Sequence, residues 1–128
     1  MMTGNSDRFL LLSDSVLEGL GISGSEIVDA IESAILQDAA GQILTAPKSA
    51  VVPEGERYMM TTLSTSDTPD VTIVKSVMVS PRNPDRGRPG IDGAIMLQDR
   101  ETGQMRALAE AGWITGVRTA GLSAVAAR

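Results

Sequence analysis

The order of patterns along this chain predicts an α+β fold: an antiparallel or mixed β-sheet with helices packed on one face. Three observations carry that prediction. A well-capped amphipathic helix lies near the start, a central stretch from Gln42 to Leu108 breaks into short runs rich in Val, Thr, Ile and Met, and helical texture returns from about Glu110. The central runs are joined by short turns, which favours antiparallel pairing because parallel neighbours need a long crossover. With 128 residues the chain can bury one core but not two full ones.

The elements follow in order. Phe9-Leu10-Leu11-Leu12 reads as a short strand, and Ser13-Asp14-Ser15 then supplies cap chemistry for a short helix that Gly19 and Gly21 end. Ser23 and Glu26 stand at capping-box spacing, and Ile27, Ala30, Ile31, Ala34 and Ile35 recur at helical intervals until Gly41. Asp29, Glu32 and Asp38 occupy the outward positions, so this second helix is expected to lay its apolar face on the sheet. Strands are expected at 49–52, 57–64, 71–80, 92–98 and 104–109, with turns at Pro53–Glu56 and Asp99–Gly103. The loop Pro81–Gly90 is long, holds three prolines and three arginines, and has the character of a site-lining loop. From Glu110 to Arg128 the pattern is helical, with Ile114, Val117, Gly121, Leu122 and Val125 on an apolar side. Its many Gly, Ala and Ser residues would let another backbone or a ligand come close.

Composition excludes several chemistries. Without Cys there is no disulfide, thiolate nucleophile or thiolate metal site, and without His no imidazole base or ligand. A net charge of -5, with eleven scattered Lys and Arg and single Phe, Tyr and Trp residues, argues against nucleic acid as a partner. No apolar run reaches the roughly 18 residues a membrane span needs. The first eight residues lack a signal peptide's charged and apolar regions, so a cytoplasmic protein with no membrane partner is expected.

Two cations fall on apolar rows. Strand alternation puts Lys75 beside Val71, Ile73, Val77 and Val79, where an ammonium must find a partner, reach water or shift its pKa. One reading is an edge-strand lysine that discourages aggregation. The other is a ligand contact. Arg118 stands four residues from both Ile114 and Leu122, and is either a snorkelling arginine or a fixed fork for a carboxylate or phosphate, with the Thr119 hydroxyl beside it.

The tail Ile114-Thr115-Gly116-Val117-Arg118-Thr119-Ala120-Gly121-Leu122-Ser123-Ala124-Val125-Ala126-Ala127-Arg128 resembles the "lTalRTaA.sa.Aa" segment of the ornithine cyclodeaminase and mu-crystallin family. Val74-Lys75-Ser76-Val77 with Pro81-Arg82-Asn83 is similar to that family's "K.v...P.N" strand and loop, and Leu97–Gly103 to its "l.D..TG.p" hairpin. The resemblance is specific over about 71–128 and looser before it.

It implies an N-terminal substrate-binding and dimerisation domain over 1–109, and a helix over 110–128 leading toward a Rossmann domain absent from this chain. No G-x-G-x-x-G follows a strand here. The activity implied is NAD(P)-dependent oxidoreductase or deaminase chemistry on an amino acid or cyclic imino acid through an imine, in a homodimer. Lys75 would be the catalytic contact to the carboxylate or reacting amino group. Arg118 would bind the substrate carboxylate, and Arg118 and Thr119 would lie near the phosphates of NAD or NADP. Lys48 stands nearest to an arginine that assists with the carboxylate, and Gly90 where a threonine is common. A non-catalytic binding or oligomerisation module of the same descent is the alternative.

Overall fold

The computed structural model describes residues 8–128; most of the segment behind the signal-peptide reading lies outside them. The elements are β1 (Leu10–Leu12), α1 (Asp14–Gly19), α2 (Gly24–Ala39), β2 (Ile43–Thr45), β3 (Ser49–Val51), β4 (Tyr58–Ser66), β5 (Val71–Val79), β6 (Ile91–Asp99), β7 (Met105–Glu110) and α3 (Gly112–Ala126). The strands form one sheet in the order β1-β7-β6-β5-β4-β2, with β3 also pairing with β4. All pairs are antiparallel except β1 with β7, so the sheet is mixed.

Local chemistry sets the helix starts. Ser13 Oγ accepts the N–H of Val16 at 3.2 Å, and Ser23 Oγ that of Glu26 at 3.1 Å. Each cap satisfies an N–H the helix itself leaves open, a contribution of about 1 kcal/mol. The hairpin after β6 is fastened by Asp99, whose Oδ1 accepts from the N–H groups of Glu101 and Thr102 and from the Thr102 hydroxyl, while Gly103 takes the left-handed φ of +77°. The "D..TG" match is therefore turn chemistry. The loop from 81 to 90 is framed in the same way by Asn83. Its side chain donates to the Pro89 carbonyl, and its own carbonyl accepts from the N–H groups of Arg86 and Arg88.

The core lies between one face of the sheet and the helices. Leu17, Val77, Ile95, Ala109 and Ala111 are buried there, with Leu12, Met60, Ile73, Leu97, Trp113 and Ile114 around them. α1 and α3 therefore rest on the sheet. The second helix departs from expectation, because α2 packs chiefly on α3 and touches the sheet mainly at neighbouring β2. Gly121 explains the preference: a Cβ there would come within 2.5 Å of Ile31 Cδ1 and 3.1 Å of Ile27 Cγ2. Only a bare backbone admits those two isoleucines, and Arg128 closes the pair by ion pairs to Asp29 and Glu32.

Candidate functional site

β5 is a central strand, paired with β4 on one side and β6 on the other. That overturns the edge-strand reading of Lys75, since a lysine in mid-sheet has no free edge to protect. The apolar row is as expected. Lys75 shares it with Val71 and Val77, both buried, and faces Ile95 across β6 and Thr62 across β4.

Register then brings in a second cation. β3 pairs Ser49 with Thr61, so Lys48, one residue earlier, enters opposite Thr62. Lys48, Thr62, Lys75 and Ile95 thus make one cross-strand row on the helix-covered face. The third cation comes from α3, where Arg118 is exposed on the helix that also carries the partly buried Ile114 and the buried Gly121.

Electrostatics agree with this convergence. Burial holds the Lys75 ammonium below the usual lysine pKa, and the positive charges of Arg118 and Lys48 lower it further. None of the three cations joins an ion pair among the described residues. Three gathered positive charges without an acid repel one another, and an incoming carboxylate would relieve that repulsion. Thr62 adds a hydroxyl in the same row. Sequence reasoning missed it, because a strand assignment does not say which residue of β4 stands opposite Lys75.

Other expected features fall elsewhere. The 81–90 loop does line a cavity of about 400 Å³, with Arg57, Ser80, Arg82, Asn83 and Arg86 in its wall. Thr119 lines a different one of about 510 Å³, beside Gly116, Ala120 and Ser123. Neither cavity is lined by Lys75, Arg118 or Lys48.

The described residues do not make a dinucleotide cradle. G-x-G-x-x-G spacing occurs at Gly19, Gly21 and Gly24, but it follows α1 instead of a strand, and a Cβ at any of the three would meet open space. The strand-to-helix junction at Gly112 holds the Asp14 carboxylate, which repels a phosphate. The Thr119 hydroxyl already donates to the Thr115 carbonyl at 2.9 Å. Among the described residues there is no group of three or more Asp and Glu able to hold a metal ion, and no helix long and apolar enough to cross a membrane.

Comparison with known proteins gives a consistent result. Delta(1)-pyrroline-2-carboxylate reductase 1 of Burkholderia multivorans is 33% identical over 119 residues, covering 81% of this chain and 38% of that protein. The structure of the Thermococcus litoralis Delta(1)-pyrroline-2-carboxylate reductase in complex with NADH and L-proline superposes with a TM-score of 0.85 at 32% identity, over 90% of this chain and 36% of that one. An archaeal alanine dehydrogenase dimer with bound NAD gives 0.83 at 28% identity, over 89% and 34%. This chain thus spans little more than a third of the length of the relatives it matches. With residues 7–128 matching throughout, it belongs to the ornithine cyclodeaminase/mu-crystallin family.

Proposed function

We propose that this chain supplies the substrate-binding and dimerisation region of an NAD(P)-dependent reductase or deaminase that acts on an amino acid or cyclic imino acid through an imine. The observation that carries the reading is the gathering of Lys75, Lys48 and Arg118 without a carboxylate partner among the described residues. Arg118 offers a planar fork that can grip both oxygens of a carboxylate, while Lys48 and Lys75 act as point charges. Lys75, its pKa lowered by burial and by the two neighbouring charges, gives up its proton more readily than an ordinary lysine, which suits a contact to the reacting amino group. Held by three charges, the α-carbon is presented in one orientation, and orientation is the main contribution such a domain can make.

NAD or NADP would supply the hydride chemistry, bound mainly by residues outside those described. In this reading 1–109 is the substrate domain and 110–128 leads toward the nucleotide, with Arg118 and Thr119 on that side. The open cavity beside Thr119, walled by small side chains, gives a bulky ligand room to approach. Dimerisation is supported by the sheet's second face, where Leu11, Leu44 and Leu63 are 70%, 67% and 45% exposed.

The test is titration of the chain with L-proline and with 1-pyrroline-2-carboxylate, together with NAD(P)H turnover by the longest native form of the protein. Binding that disappears in Arg118→Ala, with turnover lost and the circular dichroism spectrum retained, is the expected result. Binding without turnover under either cofactor would favour the non-catalytic module. Absence of carboxylate binding would overturn the reading altogether.

A further inference from the structure

We propose that Asp14 is a positioning residue for Arg118: its carboxylate, on the first turn of α1, caps the N-terminus of α3 and fixes where that helix holds its guanidinium over the sheet. The proposal rests on the reading of Arg118 as a carboxylate contact, and it deepens that reading by naming what sets the fork's position.

The geometry is specific. α3 begins after Ala111, which has no side chain able to cap it. The missing acceptor comes from 99 residues earlier in the chain, where Asp14 Oδ1 accepts the Trp113 N–H at 2.9 Å. A negative charge at that end also suits the helix dipole. Asp14 is itself anchored, because Ser13 caps α1 and Leu17, one turn on, is buried in the core. Gly112 is the other half of the arrangement. Its φ is not left-handed, so backbone conformation does not require glycine. Space is tight instead: a Cβ at Gly112 would lie 2.6 Å from Asp14 Oδ2, so an added side chain would displace the carboxylate. A short, rigid connection therefore runs from the core through α1 to the first turn of α3. Arg118 follows six residues after Gly112, about 9 Å along the helix axis.

The readout is the titration of Lys75, which responds to its burial and, next, to the nearness of the Arg118 charge, without any substrate. The chain has only two lysines, Lys48 and Lys75, so both side-chain ammonium signals are resolvable by NMR and assignable with Lys48→Arg. Arg118→Ala sets the scale by raising the Lys75 midpoint toward 10.5. Asp14→Ala and Gly112→Ala are expected to raise it by at least half as much, whereas Asp14→Asn, which keeps an acceptor oxygen, should stay close to the parent protein. A Lys75 midpoint unchanged in both alanine variants, even with a lower melting temperature, would reduce the contact to a stabilising cap and overturn the proposal. Should Asp14→Ala fail to fold, Gly112→Ala retains every side chain and decides the matter. Loss of the parent protein's L-proline binding would count against the substrate reading alone, since the lysine titration does not depend on it.

Discussion

The basic side chains at the hairpin end of the sheet and those around Lys75 are treated in opposite ways. At the hairpin end Arg100 pairs with Asp67 and Asp70, and Arg106 pairs with Asp99 while donating to the Asp70 carbonyl at 3.3 Å. These guanidinium groups tie the β6–β7 hairpin to the neighbouring β4–β5 turn. Around Lys75 the three cations form no ion pair among the described residues, and burial together with the charges of Arg118 and Lys48 lowers the Lys75 pKa. A protein carrying sixteen Asp and Glu against eleven Lys and Arg has acids to spare, so a group of neighbouring cations left without an ion pair is a place where an external anion would gain. Arg100 and Arg106 are paired within the fold, whereas the group around Lys75 is, in the proposed reading, left for a ligand.

The sharpest way to break this contrast is to remove one arginine from each region. If Arg118 is the carboxylate donor proposed above, Arg118→Ala deletes a contact worth about 1.5–3 kcal/mol, so L-proline should bind roughly tenfold to 150-fold more weakly by calorimetry. Arg106→Ala should leave that affinity unchanged and instead lower the melting temperature. Equal losses of affinity in the two variants would mean that both act through general charge, and the contrast would fail.

Lys75→Met probes the same contrast through stability, with a smaller effect. The folded-state pKa of Lys75 lies below its ordinary value of 10.5, so below that lowered pKa the fold carries a charge it disfavours. Stability is regained as pH rises through the lowered pKa toward 10.5. At neutral pH the methionine variant should therefore melt at a higher temperature than the parent protein. Its advantage should fade under alkaline conditions while carboxylate binding stays lost. Melting curves from pH 7 to 11 test this, and a variant less stable than the parent at pH 7 would show that Lys75 has a structural partner.

What the sequence made legible in these two regions follows from how local each signal is. The Ser23–Glu26 cap, the alternation that put Lys75 on an apolar row and the turn at Asp99–Gly103 are each written within a few residues, and the structure bears them out. Register and strand order are not local. Nothing near Lys75 says that β5 is central, that Thr62 stands opposite it or that Lys48 enters the same row. β2 was missed because Ile43-Leu44-Thr45 is too short to display a period and two of its three residues are exposed. The Asp14 contact to α3 and the parallel pairing of β1 with β7 likewise join opposite ends of the chain. Of the site cations, Lys75 and Arg118 stood out on apolar rows, whereas Lys48 came only through family resemblance.

The smallest expected effect belongs to the paired region and concerns Asp99. Its pKa is lowered from 3.8 to about 2, first by the N–H of Thr102 and then by Arg106 and the Thr102 hydroxyl. A depressed carboxylate stabilises the fold above its unfolded pKa, and that stability is lost as pH falls through the folded value. The parent protein should accordingly lose stability from about pH 4 down to pH 2. Asp99→Asn keeps an oxygen for the turn but not the charge that attracts Arg106, so its melting temperature should be slightly lower above pH 4 and nearly flat across the acid window. Parallel curves for the two proteins would show that the hairpin's charge pairing contributes nothing. In either case L-proline affinity should not change, because Asp99 closes a turn of its own chain and takes no part in the group around Lys75.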